Sequence, residues 1–332
     1  MISQVLPGVV FYTSQYTSIW LFAGYLVINL ELVYLFDLRF LYLHPGLFRG
    51  VLYMESFGSI EKASLIAKGT TADIYDWGPS HVLKLFLERS PGHANEVAAS
   101  RIAHKASLPV PEVIDGLIEV SQREGIVLER VDGPTMTEYL RELPGKAERC
   151  ARQAAELQAR IHSTEVTDLP FLVEILTLSI NQTNRLDENI RKAVLDVLNG
   201  LPTRETLCHN DFYPNNIIMS PRGPVVIDWA IGASGNPLAD HARTWLISRM
   251  WLGNLDEMEA PEHVQLMWQR FWDTFFQRYD ELRPSSLEDF NDWQIVAATA
   301  SLVWDRSVAS AEQRVSFVKA ALFGAEHPWL SS

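Results

Sequence analysis

The hydrophobic and polar positions between residues 60 and 131 predict five short strands and one helix. The strand-like runs lie at 64–67, 74–77, 82–86, 114–120 and 125–130, and the helix lies at 92–106. Gly69 and the turn Gly78-Pro79-Ser80 separate the first three runs, and a Leu-Pro-Val-Pro segment follows the helix. Strands with one helix among them predict a small α+β lobe.

Beyond Pro134 the pattern is mainly helical. The segments with helical character lie at 146–162, 187–198, 267–282, 287–304 and 312–323. Strand-like runs are found here at 217–219 and 225–227, joined by the turn Ser220-Pro221-Arg222-Gly223. We therefore predict a larger helical lobe that contains one β-hairpin.

Five aromatic residues follow helical spacing within 267–282. They are Trp268, Phe271, Trp272, Phe275 and Phe276. Such a stripe could line a ligand pocket, but positions i, i+3 and i+4 of one helix face are more typical of a protein core. We predict core for this stripe.

Residues 1–53 differ in character from the rest, because they are mostly aromatic and aliphatic. The apolar run at 17–36 is long enough to span a bilayer, although it contains one acid and one amide. Arg39 and Arg49 follow it, which would leave the downstream chain in the cytoplasm. Three interpretations stay open: a membrane anchor, a packed or interfacial apolar hairpin, or upstream sequence before a true start at Met54.

Composition narrows the class of protein. The chain has 332 residues, a net charge of −13 and 47% hydrophobic residues, which is typical of a globular protein with a sizeable core. The negative charge argues against nucleic-acid binding, which needs clustered Lys and Arg. Cys150 and Cys208 are far apart, so neither a disulfide scaffold nor a cysteine zinc site is expected, and a reducing compartment fits.

The segment from His209 to Trp229 carries the chemistry. Asp211 lies five residues before Asn216, and two hydrophobic strands then lead to Asp228. Phosphoryl transfer needs one carboxylate to accept the proton of the attacking hydroxyl, and hard oxygen ligands to hold Mg²⁺ against the phosphates. Asp211 fits the first role, and Asn216 and Asp228 fit the second, because the hairpin between them brings its two ends together.

The segment HNDFYPNNIIMSPRGPVVIDWA resembles the catalytic and metal loops of the aminoglycoside phosphotransferase family, whose pattern is His-Gly-Asp-x-x-x-x-Asn followed by Ile-Asp-Trp. Gly235-Asn236-Pro237-Leu238-Ala239-Asp240 resembles that family's Gly-x-Pro-x-x-Asp segment. The resemblance covers residues 57–330. It implies a two-lobed α+β fold like that of protein kinases and choline kinases, with ATP or GTP and Mg²⁺ as cofactors.

The N-terminal lobe supports the resemblance. Gly69, Thr70 and Thr71 occupy the place of a nucleotide-covering hairpin, where backbone N–H groups can approach phosphates. Lys84 lies in an otherwise apolar strand, either pointing outward from an edge or inward as a phosphate ligand, and we favour the second. In the kinase fold such a lysine pairs with a glutamate of the next helix. Glu96 takes that role here, unless it is simply solvated.

Further positions follow from the resemblance. The segment from Leu128 to Gly133 resembles the family's hinge, where the backbone near Glu129 and Val131 would bind the adenine edge. His209 could be a base or a metal ligand, but a histidine at this place in the fold braces the catalytic loop, and we favour that role. Asp240 is expected to be structural too.

These observations predict three regions: an apolar extension at 1–53, a nucleotide-binding lobe at 54–132 and a helical lobe at 133–332. The predicted activity is transfer of a γ-phosphoryl group to a hydroxyl of a small molecule, in the cytoplasm. The alternatives are a protein kinase and an inactive nucleotide-binding scaffold. Acidic residues beyond Asp240 could bind a cationic acceptor or form a solvated face, and we favour the face. They are Asp256, Glu257, Glu259, Glu262 and Asp289.

Overall fold

The computed structural model describes residues 9–14, 17–22, 25–28, 60, 63–90, 92–303 and 308–330. The chain divides into two compact units, Met1–Gly58 and Ser59–Ser332. The first contains three antiparallel strands in the order β1-β2-β3. They are β1 (Val9–Ser14), β2 (Thr17–Phe22) and β3 (Tyr25–Ile28).

The predicted spanning run at 17–36 is therefore β structure over 17–22 and 25–28, and its remainder lies outside the described residues. Met54 also lies outside them. No helix within the described ranges combines the length and apolar character that crossing a bilayer requires.

The second unit begins with a five-stranded antiparallel sheet in the order β4-β5-β6-β8-β7. Its strands are β4 (Leu65–Lys68), β5 (Ala72–Asp76), β6 (His81–Phe86), β7 (Val113–Val120) and β8 (Arg123–Glu129). The β7–β8 turn lies at Ser121 and Gln122, whose φ angles of 51° and 67° are the positive values that a tight hairpin turn uses. The predicted strands are confirmed, with ends that differ by at most two residues.

Helix α1 (Gly92–Lys105) follows β6 and packs against β7. Its Val97 joins Phe86, Val113 and Ile126 in the small core of this lobe. Because the same helix also buries Glu96, it brings a carboxylate to the inner side of the sheet.

The rest of the second unit is a lobe built mainly of helices, as predicted. Its helices are α2 (Met136–Glu142), α3 (Ala147–Ile161), α4 (Leu172–Gln182), α5 (Glu188–Gly200), α6 (Pro237–Glu257), α7 (Glu262–Leu282), α8 (Leu287–Ser301) and α9 (Val308–Phe323). Three of these, α2, α4 and α6, were not predicted. The α2 start does carry a sequence signal, because Thr135 and Glu138 form a capping box.

The largest core lies between α3 and α7. Small residues of α3, such as Ala151 and Ala155, are fully buried and let the aromatic face of α7 approach closely. Trp268, Phe271, Trp272 and Phe275 of the predicted stripe are all buried in this core, and Phe276 is partly buried against it. The core interpretation of the stripe is confirmed.

Two short strand pairs position the loops between them. They are β9 (Thr206–Cys208) with β12 (Ala233–Gly235), and β10 (Ile217–Ser220) with β11 (Gly223–Val226). The β9–β12 pair holds the start of the predicted catalytic loop against the segment that follows Asp228. The β10–β11 hairpin places Asn216 and Asp228 beside each other, because the Ile227 N–H donates to the Asn216 carbonyl at 2.9 Å.

Candidate active site

Asp240, in the first turn of α6, holds the start of the catalytic loop. Its carboxylate accepts the backbone N–H groups of His209 at 2.7 Å and Asn210 at 2.9 Å. The buried ring of His162 adds a third contact, from Nε2 at 3.0 Å. Burial raises the pKa of Asp240, but these hydrogen bonds and the nearby histidines bring it below the usual value. The carboxylate therefore stays ionised and holds the loop, as expected for a structural role.

His209 bonds to the backbone through both of its ring nitrogens. Nδ1 accepts the Asp211 N–H at 3.2 Å, and Nε2 lies 3.0 Å from the Ile227 carbonyl, to which it donates. The ring is fully buried and contacts Trp229. No nitrogen is left for a metal or a substrate proton, so the geometry supports the bracing role.

Asn210 is a functional position that sequence reasoning passed over. Its φ is 62°, a left-handed conformation in which Asn is tolerated and Gly is unstrained. This explains why Asn can stand where the family pattern has Gly. Its side chain donates to the Ile231 carbonyl at 2.9 Å and ties the catalytic loop to the segment after Asp228.

Asp211 and Asn216 are joined directly. The Asn216 amide donates from Nδ2 to the Asp211 carbonyl at 2.8 Å and to its carboxylate Oδ2 at 2.9 Å. Burial raises the pKa of the Asp211 carboxyl. Arg243 lowers this pKa and Asp228 raises it, with a net upward shift.

Lys84 of β6 links the lobes. Its Nζ contacts Glu96 Oε1 at 2.6 Å and Asp228 Oδ1 at 2.9 Å. Lys84 and Glu96 are both buried, so neither the outward lysine nor the solvated glutamate describes the structure. Burial lowers the pKa of Lys84, but the two carboxylates more than offset this, and the pKa is raised.

Asn216 and Asp228 each keep one oxygen for a metal. The Asn216 amide nitrogen is used by Asp211, and Asp228 Oδ1 is used by Lys84, while Asn216 Oδ1 and Asp228 Oδ2 have no hydrogen bond among the described residues. One amide oxygen and one carboxylate oxygen fit Mg²⁺, which takes few protein ligands and completes its shell with water and phosphate.

A second cluster with metal-binding residue types is a different case. His162, Cys208 and Asp240 lie close together and are all buried. Both Asp240 oxygens already accept hydrogen bonds, and the Cys208 Sγ lies near the Thr206 and Asn236 carbonyls. Burial raises the pKa of the Cys208 thiol well above its usual value, so the thiolate that a metal needs is disfavoured.

The predicted nucleotide-covering hairpin is the β4–β5 turn. Gly69 donates its N–H to the Ala72 carbonyl at 2.8 Å, and a Cβ on Gly69 would lie 2.7 Å from that oxygen, so only glycine fits. Thr70 and Thr71 form the exposed tip. The Thr71 carbonyl accepts from Leu87, which ties the tip to the end of β6.

The predicted hinge lies at the end of β8. The Glu129 N–H donates to the Glu112 carbonyl at 2.9 Å, so this N–H is not open to a nucleotide. The Val131 N–H donates to no backbone carbonyl of the described residues. The Glu129 side chain instead forms a bidentate ion pair with Arg222, from the turn of the β10–β11 hairpin.

The structure therefore brings Lys84, Glu96, Asp211, Asn216 and Asp228 together. It places Gly69 in the β4–β5 turn and Val131 just after β8. Sequence reasoning missed Asn210, Arg222 and His162, which act through long-range backbone and side-chain contacts. It also left Arg243 without a role, although its positive charge is the largest influence that lowers the pKa of Asp211.

Comparison with known proteins identifies the family and the fold of this chain. The model of the APH phosphotransferase enzyme family matches residues 62–284, and the chain belongs to that family. A thermostable mutant of aminoglycoside phosphotransferase APH(4)-Ia, in a ternary complex with AMP-PNP and hygromycin B, is similar in structure. It has 19% identity and a TM-score of 0.58, covering 82% of this chain and 96% of that one.

Two kinases of the choline and ethanolamine class are also similar. A choline/ethanolamine kinase family protein from Mesorhizobium loti has 17% identity and a TM-score of 0.51, over 83% of this chain and 92% of that one. An ethanolamine kinase of Plasmodium vivax has 13% identity and a TM-score of 0.51, over 78% and 81%. The search of curated proteins found no match. These similarities establish the kinase-like fold.

Proposed function

We propose that the protein transfers the γ-phosphoryl group of ATP to a hydroxyl group of a small molecule. The observation that carries the proposal is the connected set from Glu96 through Lys84 to Asp228, and from Asn216 to Asp211. The backbone hydrogen bond from Ile227 to Asn216 joins these two groups of contacts. A base, a phosphate-binding cation and two metal ligands are what this reaction requires.

In the proposed mechanism the Asp211 carboxylate orients the acceptor hydroxyl and takes its proton as the oxygen bonds to the γ-phosphorus. The bond from the γ-phosphorus to the β–γ bridging oxygen breaks, and its electron pair leaves with ADP. Lys84 binds phosphate oxygens while Glu96 holds it in place. Mg²⁺, held by Asn216 and Asp228, would neutralise phosphate charge. The proton on Asp211 is then released to solvent.

The protein-kinase alternative has less support. Helix α6 begins at Pro237, so only eight residues separate it from Asp228, and three of them form β12. This leaves little room for the long activation segment that receives a peptide substrate. A small acceptor suits the short connection better. GTP stays an alternative donor, because the hinge would recognise the base through backbone groups.

Replacing Asp211 with Asn tests the role of the base. We expect kcat to fall by about 10²- to 10⁴-fold, the usual contribution of general-base catalysis, with little change in nucleotide affinity. Acceptor-dependent ADP release and binding of a fluorescent nucleotide would measure the two effects. Asp280→Asn, which makes the same change at an exposed site on α7, is the matched control. Near-normal turnover in Asp211→Asn would refute the assignment, and nucleotide binding without turnover by any acceptor would favour the scaffold alternative.

A further inference from the structure

We propose that the acceptor is an anionic small molecule, with a carboxylate or phosphate group bound by Arg243, Arg314 and Arg185 beside Asp211. This inference rests on the proposed function and specifies its acceptor. The acidic composition makes a cationic acceptor plausible, whereas this proposal gives the acceptor a negative charge.

Arg243 is the centre of the proposed site. It lies on α6, one helical turn beyond Asp240, whose carboxylate holds the backbone of His209 and Asn210. A side chain at this place leaves the helix next to the catalytic loop.

The Arg243 guanidinium lacks a partner. It forms no hydrogen bond or ion pair with any residue that the structure describes, although the side chain is half-buried and its Nε is fully buried. A buried N–H without an acceptor costs free energy, and such groups are rare in folded proteins. An anionic ligand would supply the missing acceptor.

Arg314 adds a second guanidinium from α9. It is buried, and it donates from an Nη to Ser301 Oγ at 2.7 Å and from Nε to the Ser310 carbonyl at 3.3 Å. Burial, together with the charges of Arg243 and Arg185, lowers the pKa of Arg314 to about 10, so it is still protonated at neutral pH. Packing brings the elements that carry these groups together: the rings of Trp245 on α6 and Phe317 on α9 have centroids 5.2 Å apart, and α4, which ends just before Arg185, packs against α8, the helix of Ser301.

Arg185, between α4 and α5, is the exposed member of the cluster. Its side chain also has no partner within the described ranges. Arg243 and Arg185 thus carry positive charges without a partner among the described residues, and an anion bound between them would compensate both. Guanidinium groups suit carboxylates and phosphates in particular, because two parallel N–H groups match two oxygens.

The position of the cluster favours the acceptor over the nucleotide. Lys84 already serves the nucleotide side, where it contacts Asp228. Arg243 instead acts on Asp211, the group that receives the acceptor hydroxyl. Of the predicted acidic face, Asp256, Glu257, Glu259 and Glu262 are exposed, as expected for a solvated face rather than a cation pocket, and Asp289 is half-buried.

Binding of inorganic phosphate to the full chain saturated with Mg²⁺ and AMP-PNP provides a test that needs no knowledge of the acceptor. We expect isothermal titration to show phosphate binding to the wild type and at least tenfold weaker binding to Arg243→Gln. Arg185→Gln, at an exposed site that tolerates substitution, should weaken it as well. Arg278→Gln removes a surface arginine paired with Glu156 and should change nothing. Equal phosphate affinity in the wild type and in both cluster variants, or no binding to the wild type, would overturn the proposal.

Matched acceptors provide the kinetic test. Each anionic acceptor is compared with a neutral counterpart: D-glycerate with glyceramide, and glycerol 3-phosphate with glycerol. Ethanolamine is the cationic control. We expect turnover of an anionic member, with Arg243→Gln raising its KM at least tenfold and Arg243→Lys recovering part of the loss. If ethanolamine or a neutral acceptor is turned over, and Arg243→Gln leaves that turnover unchanged, the proposal of an anionic acceptor would be refuted while the proposed phosphotransfer would stand. If the wild type does not bind the nucleotide, the proposed phosphotransfer itself would be refuted.

Discussion

Opposing influences act on the pKa of Asp211. Its burial and the charge of Asp228 favour the protonated acid, while Arg243 favours the carboxylate. Because the net shift is upward, the base should need a higher pH for ionisation than an exposed aspartate does. The chemistry at this residue therefore depends on an arginine that lies on another element.

The pH dependence of kcat/KM should report this balance. A base acts when it is ionised, so activity should fall as the pH falls through the raised pKa of Asp211. In Arg243→Gln the acidic limb should move to higher pH, because a positive charge that lowers this pKa is gone. Arg278→Gln, measured alongside, should leave the limb in place. An unmoved limb in Arg243→Gln would show that the two charges are not coupled.

At the scale of elements, the linker between the lobes is fastened to the β10–β11 hairpin. Gly133 has a φ of 144°, and a Cβ there would lie 2.4 Å from the Met219 carbonyl oxygen. The Met219 N–H donates to the Pro134 carbonyl at 2.8 Å. Arg222 of the same hairpin pairs with Glu129 on the other side of the linker. The hairpin that carries both proposed metal ligands thus contacts the hinge directly.

Gly133→Ala should destabilise the protein by about 2 kcal/mol or more, because it combines backbone strain with overlap against Met219. Substitutions at two other glycines, measured by urea unfolding, distinguish backbone strain from overlap. Gly223→Ala has a positive φ of 110° but open surroundings, and should cost about 1 kcal/mol. Gly145→Ala has neither problem, and should change stability by less than about 0.5 kcal/mol. Equal stability of the Gly133 and Gly145 variants would contradict the close packing of the linker.

At the scale of the folded unit from Ser59 to Ser332, the site is assembled from both lobes. Lys84 and Glu96 come from the sheet and α1, while Asp211, Asn216 and Asp228 come from the helical lobe. A ligand that contacts both sets should stabilise the whole unit, since it binds the folded state alone.

Mg²⁺ with AMP-PNP at about 100 times its Kd should stabilise the protein by about 2.7 kcal/mol, visible as a rise in Tm. The rise should shrink when Mg²⁺ is chelated and in Asp228→Asn, which loses a proposed metal ligand and a partner of Lys84. Asp280→Asn should behave like the wild type. The same rise with and without Mg²⁺ would argue against the metal site.

Much of the site was predictable because several of its residues lie close together along the sequence. Asp211, Asn216 and Asp228 lie within one short stretch whose hairpin brings its ends together, so spacing alone indicated their grouping. Lys84 stood out because a charge in an apolar strand needs a reason. The short helix α2 escaped notice although its capping box is visible, and Asn210 escaped because its role depends on a backbone angle.

By itself, the sequence determined the two-lobed organisation, the aromatic core of α7 and the order of the catalytic groups, because strand and helix periodicity and hairpin spacing are local properties. Only the tertiary structure decided that Lys84 meets Asp228, 144 positions away, and that Asp240 holds the catalytic loop. It also decided that Arg243, on another element, lowers the pKa of Asp211. The physical reason is that burial, partner choice and charge coupling depend on distances between segments remote in the chain.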